Sequence, residues 1–223
     1  MSQEAFSALL FLLLVGGSGC SRTPPEPAPA STTNSTAIAA DRTGPKNAPA
    51  ASMTVTNAGT TPIGGGRCVT ASPAEAPPIP APASAAACPR DPEGIPKSQV
   101  AQVLFPEAAG SPKVDVELAK SEHDIQRGLM YRRTMAEDHG MLFHLDERRE
   151  HTFWMHNTCM SLDMLFIDED GTVVGIVEGA TPLTDTSRTV GCSSVFVLEV
   201  NAGWCRRHGV RAGQKLSLPA SAR

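Results

Sequence analysis

The sequence predicts an α+β fold: a small β-rich domain whose six or seven short strands form a curled sheet or barrel, with two or three short helices. Three observations lead there. Beyond the first twenty residues the aromatic side chains begin only at Phe105, and every histidine lies past residue 120, so one compact stretch near 113–218 carries the core. Within it, short apolar runs alternate with period two or stand as unbroken blocks of strand length. Between them lie Gly- and Asp-containing turns, and the helical segments are short. A stretch of this length can bury a core without outside help.

The elements follow in order. KVDVELAK (113–120) alternates, with Val114, Val116 and Leu118 on one face of a strand. SEHDIQRGLMYRR begins a short helix: Ser121 is an N-cap with Asp124 three residues on, a variant of the capping box. Gly128 is unfavourable in a helix by about 1 kcal/mol, which points to close packing against a neighbour. GMLFHL (140–145) and HTFWMH (151–156) read as the next two strands. LDMLFID and TVVGIV flank Glu169-Asp170-Gly171, a hairpin signal. SVFVLEV is another strand. NAGWCRRHG is then a short helix, with Asn201 as N-cap, Gly209 just past its end and Arg206, Arg207 and His208 in the last turn, where cations suit the dipole. QKLSL closes the chain as a final strand.

The N-terminal part has a different character. AFSALLFLLLV (5–15) is too short for a span of about 20 residues. It leads through GGSG to Cys20, a short apolar run before small residues, as in an export signal. A cysteine at that point resembles the bacterial lipoprotein signal, which implies cleavage after residue 19 and acylation of Cys20. Gly17 replaces the usual leucine, and no Lys or Arg precedes the apolar run; an ordinary signal peptide or a misplaced start is the plainer alternative. Ser21 after the cysteine points to the outer membrane, facing the periplasm or the exterior. From residue 21 to 112 the chain is rich in Pro, Ala and Ser and holds fifteen of its nineteen prolines before Val100. Such a segment buries too little apolar surface to offset about 1–2 kcal/mol of chain entropy per residue, so a disordered tether is expected.

Five cysteines remain after Cys20. Cys68 with Cys88 forms a plausible pair inside the tether, and Cys159, Cys192 and Cys205 could give one bridge and one thiol; spacing does not decide connectivity. A net charge of -4 without a basic cluster argues against nucleic acid as a partner. No cofactor or metal is called for.

RGLMYR (127–132), GMLF (140–143), FWMHNT (153–158), LDMLFID (162–168), VLEVNAGW (197–204) and HGVRAGQKL (208–216), in that order, resemble the domain of unknown function 192 family. The resemblance spans the whole predicted domain and nothing of the tether. It implies a compact β-rich fold in a family of small, often exported proteins. It supplies no established activity and no catalytic residues. Ser161 stands where a proline commonly precedes the Leu-Asp pair, and Cys159 where an apolar or aromatic residue is usual.

Several residues could carry chemistry. Asp163 and Glu199 interrupt apolar strands, and an ionised carboxylate on such a face is costly unless paired. Arg127 and Arg132, or Asn157 and Thr158, are the expected partners. A structural network, a ligand pocket and acid–base catalysis on an envelope polymer are the competing readings. Trp154 is a possible ligand platform, although a Trp in an apolar strand is usually core. Methionines clustered with His156, other histidines and Cys159 suggest copper in an exported protein, against the reading of Met as core filler. A functional cleft is expected to be framed by His156-Asn157-Thr158, Trp154, Asp163, Glu199 and Arg127 or Arg132. The expected role is that of an envelope lipoprotein presenting a domain that binds a small ligand or partner, non-enzymatic in the first instance.

Overall fold

The structure, a computed structural model, describes residues 66–223. The export signal, Cys20 and the tether up to residue 65 lie outside the described residues. Six strands form one mixed sheet: β1 (Val100–Leu104), β2 (Lys113–Ala119), β3 (His139–Glu150), β4 (Leu162–Ile167), β5 (Val173–Ala180) and β6 (Ser193–Asn201). Their order across the sheet is β1-β2-β3-β6-β4-β5. Only β2 and β3 pair in parallel, and helix α1 (Glu122–Arg127) lies on the crossover between them. A second helix, α2 (Trp204–Arg207), follows β6.

The sheet is buried on both faces. Val114, Val116, Leu142, Leu165, Leu198 and Val200 pack on one side with Trp204 and Phe105. Met141, Phe143, Leu162, Met164, Phe166 and Val197 pack on the other with Leu129 and Met155. Every residue of β4 is buried, which is why that strand reads as a continuous apolar run broken only by Asp163.

The local signals hold where they are strongest. Ser121 caps α1 by accepting from the Asp124 N–H at 3.1 Å. Gly128 ends the helix at φ +49°, and a Cβ there would lie 3.2 Å from the Phe143 ring, so the expected close packing is real. Gly171 sits at φ +85° in the β4–β5 turn, where Arg148 grips Asp168 through two bonds of 2.7 and 2.8 Å.

Four expectations need correction. Of the curled sheet or barrel expected, the six strands form an open sheet: QKLSL (214–218), read as a last strand, makes only isolated bridges, Lys215 to Thr172 at one end and Ser217 to Leu104 at the other. HTFWMH is a loop in which Phe153 alone bridges Arg188, because β3 runs on through the polar DERRE and takes the pairing with β6. Asn201 ends β6 instead of capping α2; Gly203, at φ +78°, holds the cap position.

The fourth correction concerns the tether. Its stretch 66–112 is ordered on the domain and contributes β1. Thr70 N–H donates to the Val174 carbonyl at 2.8 Å, Ala83 N–H to Cys159 at 2.9 Å, and Ser161 Oγ to Pro80 at 2.6 Å. The expected Cys68–Cys88 pair does not form. Cys68 bridges Cys192, and Cys88 bridges Cys159. Both bridges fasten this N-terminal strap to the domain, which offsets the ordering entropy that its composition could not. Cys205 is the free thiol.

Limited digestion of the oxidised protein should therefore leave a resistant fragment that keeps Cys68 and Cys88 joined to the domain. Reduction should open 66–92 to cleavage while the sheet survives. A resistant fragment starting near 113 under oxidising conditions would contradict the strap.

Candidate functional site

A cleft of about 770 Å³ opens on the face of the sheet that carries Phe143 and Met141. Strand β3 lends Phe143 and Leu145 to its lining, and β6 lends Glu199. The end of α1 and the following turn supply Arg127 and the run to Tyr131. The loop after β3 supplies His151, Phe153 and Trp154, and the strap closes one side with Pro92 and Glu93.

Glu199 is the chemically unusual member. It sits in register with Met141 on β3 and Met164 on β4, so its side chain lies among apolar neighbours. It is only 5% exposed, and among the described residues no N–H or hydroxyl donates to its carboxyl oxygens and no cation pairs with it. Burial alone pushes its pKa from the ordinary 4.5 up to about 8. The group is therefore a neutral acid at neutral pH, lining a cleft of ligand size.

The other predicted site residues divide. Arg127 lines the cleft, but its guanidinium is held by Asp91 at 2.5 Å, the Gly94 carbonyl at 2.9 Å and Glu93 at 3.4 Å, and it lies 5.3 Å from the Tyr131 ring centre. That hydrogen bond from Arg127 holds the Asp91 carboxyl below its usual range. Arg132 is away from the cleft, paired with both oxygens of Glu117 on β2. Neither arginine pairs with Asp163 or Glu199, contrary to expectation: both are taken by acids that the sequence did not single out.

Trp154 is 54% exposed and lines the cleft, whereas Trp204 is fully buried and donates to Asp138 at 3.1 Å. His156 lies beside Trp154, with ring centres 5.2 Å apart, and its Nδ1 is 2.7 Å from Asp185. Asn157, at φ +52°, donates to the Tyr131 hydroxyl at 3.1 Å. Thr158 is buried, bonds the His156 carbonyl and is the one member of that turn that lines the cleft.

Asp163 is not part of the site. It pairs in register with Val200, the neighbour of Glu199, so the two carboxylates project from opposite faces of the sheet. Its Oδ1 accepts from Gly179 N–H at 2.9 Å and its Oδ2 from Cys205 N–H at 3.2 Å, tying β5 and the start of α2 to β4. The Asp163/Glu199 dyad considered for an enzyme does not exist as a geometry.

The copper reading also loses its ligands. Cys159 is bonded to Cys88, Met141, Met155, Met160 and Met164 are buried in the core, and no cluster of three His, Cys, Asp or Glu side chains suited to a metal occurs among the described residues. The remaining thiol, Cys205, is buried, and burial together with nearby Asp163 pushes its pKa up, which makes it inert.

Sequence reasoning missed Tyr131, Phe143, Phe153 and His151 in the lining, and the acids Asp91 and Glu93. RGLMYR and FWMHNT contain Tyr131 and Phe153 and could have flagged them. Nothing in a Pro/Ala-rich segment signals that Asp91 and Glu93 will meet Arg127.

The two buried carboxyls should respond oppositely to mutation. Asp163→Ala strands two N–H groups and should cost about 2–5 kcal/mol by thermal or urea unfolding, without changing what the cleft binds. Glu199 has a folded pKa above its unfolded one, so the folded form holds the extra proton between about pH 4.5 and 8. Stability from this group is full below pH 4.5 and declines by ~1.4 kcal/mol per pH unit up to 8. Glu199→Gln should remove that decline and leave the variant more stable than the native protein at pH 8. A native stability curve with the same slope as the variant's would show that Glu199 is ionised in the fold.

Among curated proteins none matches this chain. Solved structures similar to this chain include the following two. One, from Sinorhizobium meliloti 1021 and described as a "putative transcription regulator", is 40% identical with a TM-score of 0.52, over 56% of this chain and 97% of that one. The other, a protein of unknown function from Novosphingobium aromaticivorans DSM 12444, is 30% identical with a TM-score of 0.53, over 54% of this chain and 86% of that one. The model of the DUF192 family, described as an uncharacterized ACR, matches residues 105–218, from the end of β1 to the last bridge of the sheet; the chain belongs to that family.

Proposed function

We propose that this protein is a cell-envelope lipoprotein that presents its β-rich domain as a small-ligand binding module, with the cleft beside Glu199 as the binding site. One observation carries the reading: a carboxyl without a partner, 5% exposed, lines a cleft together with Phe143, Leu145, Phe153 and an exposed tryptophan. A structural carboxyl in this fold looks different, as Asp163 and its two N–H donors demonstrate. Buried polar groups are normally satisfied, and one left bare in a cleft is suited to a ligand.

The envelope location is supported by the short apolar run 5–15 that leads to Cys20 and by the pairing of four of the remaining five cysteines, which suits an oxidising compartment. The description of the Sinorhizobium protein raises DNA binding as a second possibility. The net charge of -4, and the engagement of Arg132, Arg148, Arg206 and Arg207 by Glu117, Asp168, Glu178 and Glu137, weigh against it.

Two measurements test the proposal. Fragment screening by NMR on the oxidised protein should shift amides of Glu199, Phe153 and Trp154 as a group; shifts confined to another surface would overturn the cleft as the site. Growth with a fatty-acid analogue should label the native protein at Cys20. Cys20→Ala should lose both label and membrane recovery, and unchanged membrane recovery would refute the anchor.

A further inference from the structure

The cleft has a mixed lining in which Glu199 is the one acid without a partner among the described residues. Phe143, Leu145, Leu129 and Phe153 line it together with Glu199. A ligand carboxylate or phosphate at Glu199 would add negative charge next to a carboxyl. Arg127, the buried cation of the lining, already has Asp91, Glu93 and Gly94 as partners. Arg149 is 60% exposed in its side chain and lies 3.4 Å from Glu147.

We propose that the cleft takes a ligand bearing a protonated amine on an apolar body, with the Glu199 carboxylate accepting the ammonium N–H bonds. This deepens the binding proposal and rests on the cleft being the site. Two features favour an amine over an alcohol or amide, and a third favours its apolar body. Charge-assisted hydrogen bonds are roughly twice as strong as neutral ones. Four aromatic residues, Tyr131, Phe143, Phe153 and Trp154, line the same space, and aromatic faces attract cations. Arg127 over Tyr131, at 5.3 Å, shows such a contact already made at the wall. Finally, an alkyl or aryl body replaces water against the hydrocarbon lining.

The binding step balances as a proton exchange. The ligand enters as R–NH3+, Glu199 loses its proton to solvent, and the bound state holds an ammonium–carboxylate pair. One proton is released for each ligand bound wherever Glu199 starts protonated. The other titratable groups around the cleft are Asp91 and Glu93 from the strap, His123 and Arg127 from α1, Tyr131 from the turn, and Arg149 and His151 from the end of β3 and its loop. Glu93 is bound by His123 at 3.1 Å as well as by Arg127, and the His151 ring nitrogen is 2.8 Å from the Glu147 carbonyl. Strand β4 presents Leu162, Met164 and Phe166 on this face, with no titratable group.

The experiment is calorimetric titration of the oxidised full chain with n-hexylamine and with n-hexanol, from pH 6 to 8, in two buffers of different ionisation enthalpy. Hexylamine should bind more tightly than hexanol. Its affinity should rise roughly tenfold per pH unit below 8, with close to one proton released at pH 6. Hexanol affinity should not vary with pH. Glu199→Gln should abolish the pH slope and the preference for the amine; the slope and proton release of the native protein test the proposal even if that variant folds poorly. Equal binding of the two probes, or a slope that survives in Glu199→Gln, overturns the amine assignment while cleft amide shifts keep the binding proposal standing. No binding by hexylamine also overturns the assignment. Amine binding that shifts only amides outside the cleft overturns both.

Discussion

The structure depends on strand β6 being buried on both faces between β3 and β4. A strand in that position cannot send a polar side chain to water, so every polar residue at the centre of the sheet must be met from inside the protein. Asp163, on the neighbouring strand, is met by two backbone N–H groups and in return pins β5 and α2. Ser194 is fully buried and its hydroxyl has no partner among the described residues. Glu199 is met by nothing, and the sheet has to tolerate it by leaving a cleft on that side and by keeping the carboxyl protonated. The cleft and the acid are thus one feature. Packing the cleft with hydrocarbon would strand the carboxyl completely.

The strap is a separate element. Residues 66–92 contribute nothing to either core cluster and are a strap on the outside of the domain, held at Cys68–Cys192 and Cys88–Cys159 across sequence separations of 124 and 71. Closing loops of this length removes a large share of unfolded-chain entropy, of the order of 4 kcal/mol per bridge in the chain-entropy picture. The family match begins only at residue 105, so this strap lies outside the matched region even though Asp91 and Glu93 fix Arg127 in the wall of the cleft.

Periodicity and turn chemistry were enough to place β2, α1, β4, β5 and β6, because there local preference and tertiary packing agree: Ser121 caps, Gly171 turns, and Val114 and Val116 share a face. They failed where the decisive contact is distant in sequence. Composition marked 66–112 as tether because no aromatic residue occurs between Arg22 and Phe105, and the crosslinks that order it cannot be read from spacing. For the site, alternation identified Asp163 and Glu199 as anomalies but could not say that they face opposite ways, since that needs the β4–β6 register. A shift of one residue in that register would have put them together. The arginines were misassigned for the same reason: their acids lie 36 and 15 residues away on segments without a local link.

The contrast between the two acids finally separates stability from function in this sheet. Asp163 sits where each oxygen has a donor, and its charge holds three elements together. Glu199 sits in register between two methionines, where a leucine or methionine would pack without any ionisation penalty. A residue that makes the fold less stable as pH rises toward 8 contributes nothing to the core that an apolar side chain would not do better. A partner charge arriving in the cleft would have to offset the desolvation penalty that burial imposes on the carboxylate, which an apolar side chain at this position would never incur. Trp154 is exposed and Thr158 buried in the same lining, while Arg127, locked to the strap, holds the wall in place without pairing with Glu199.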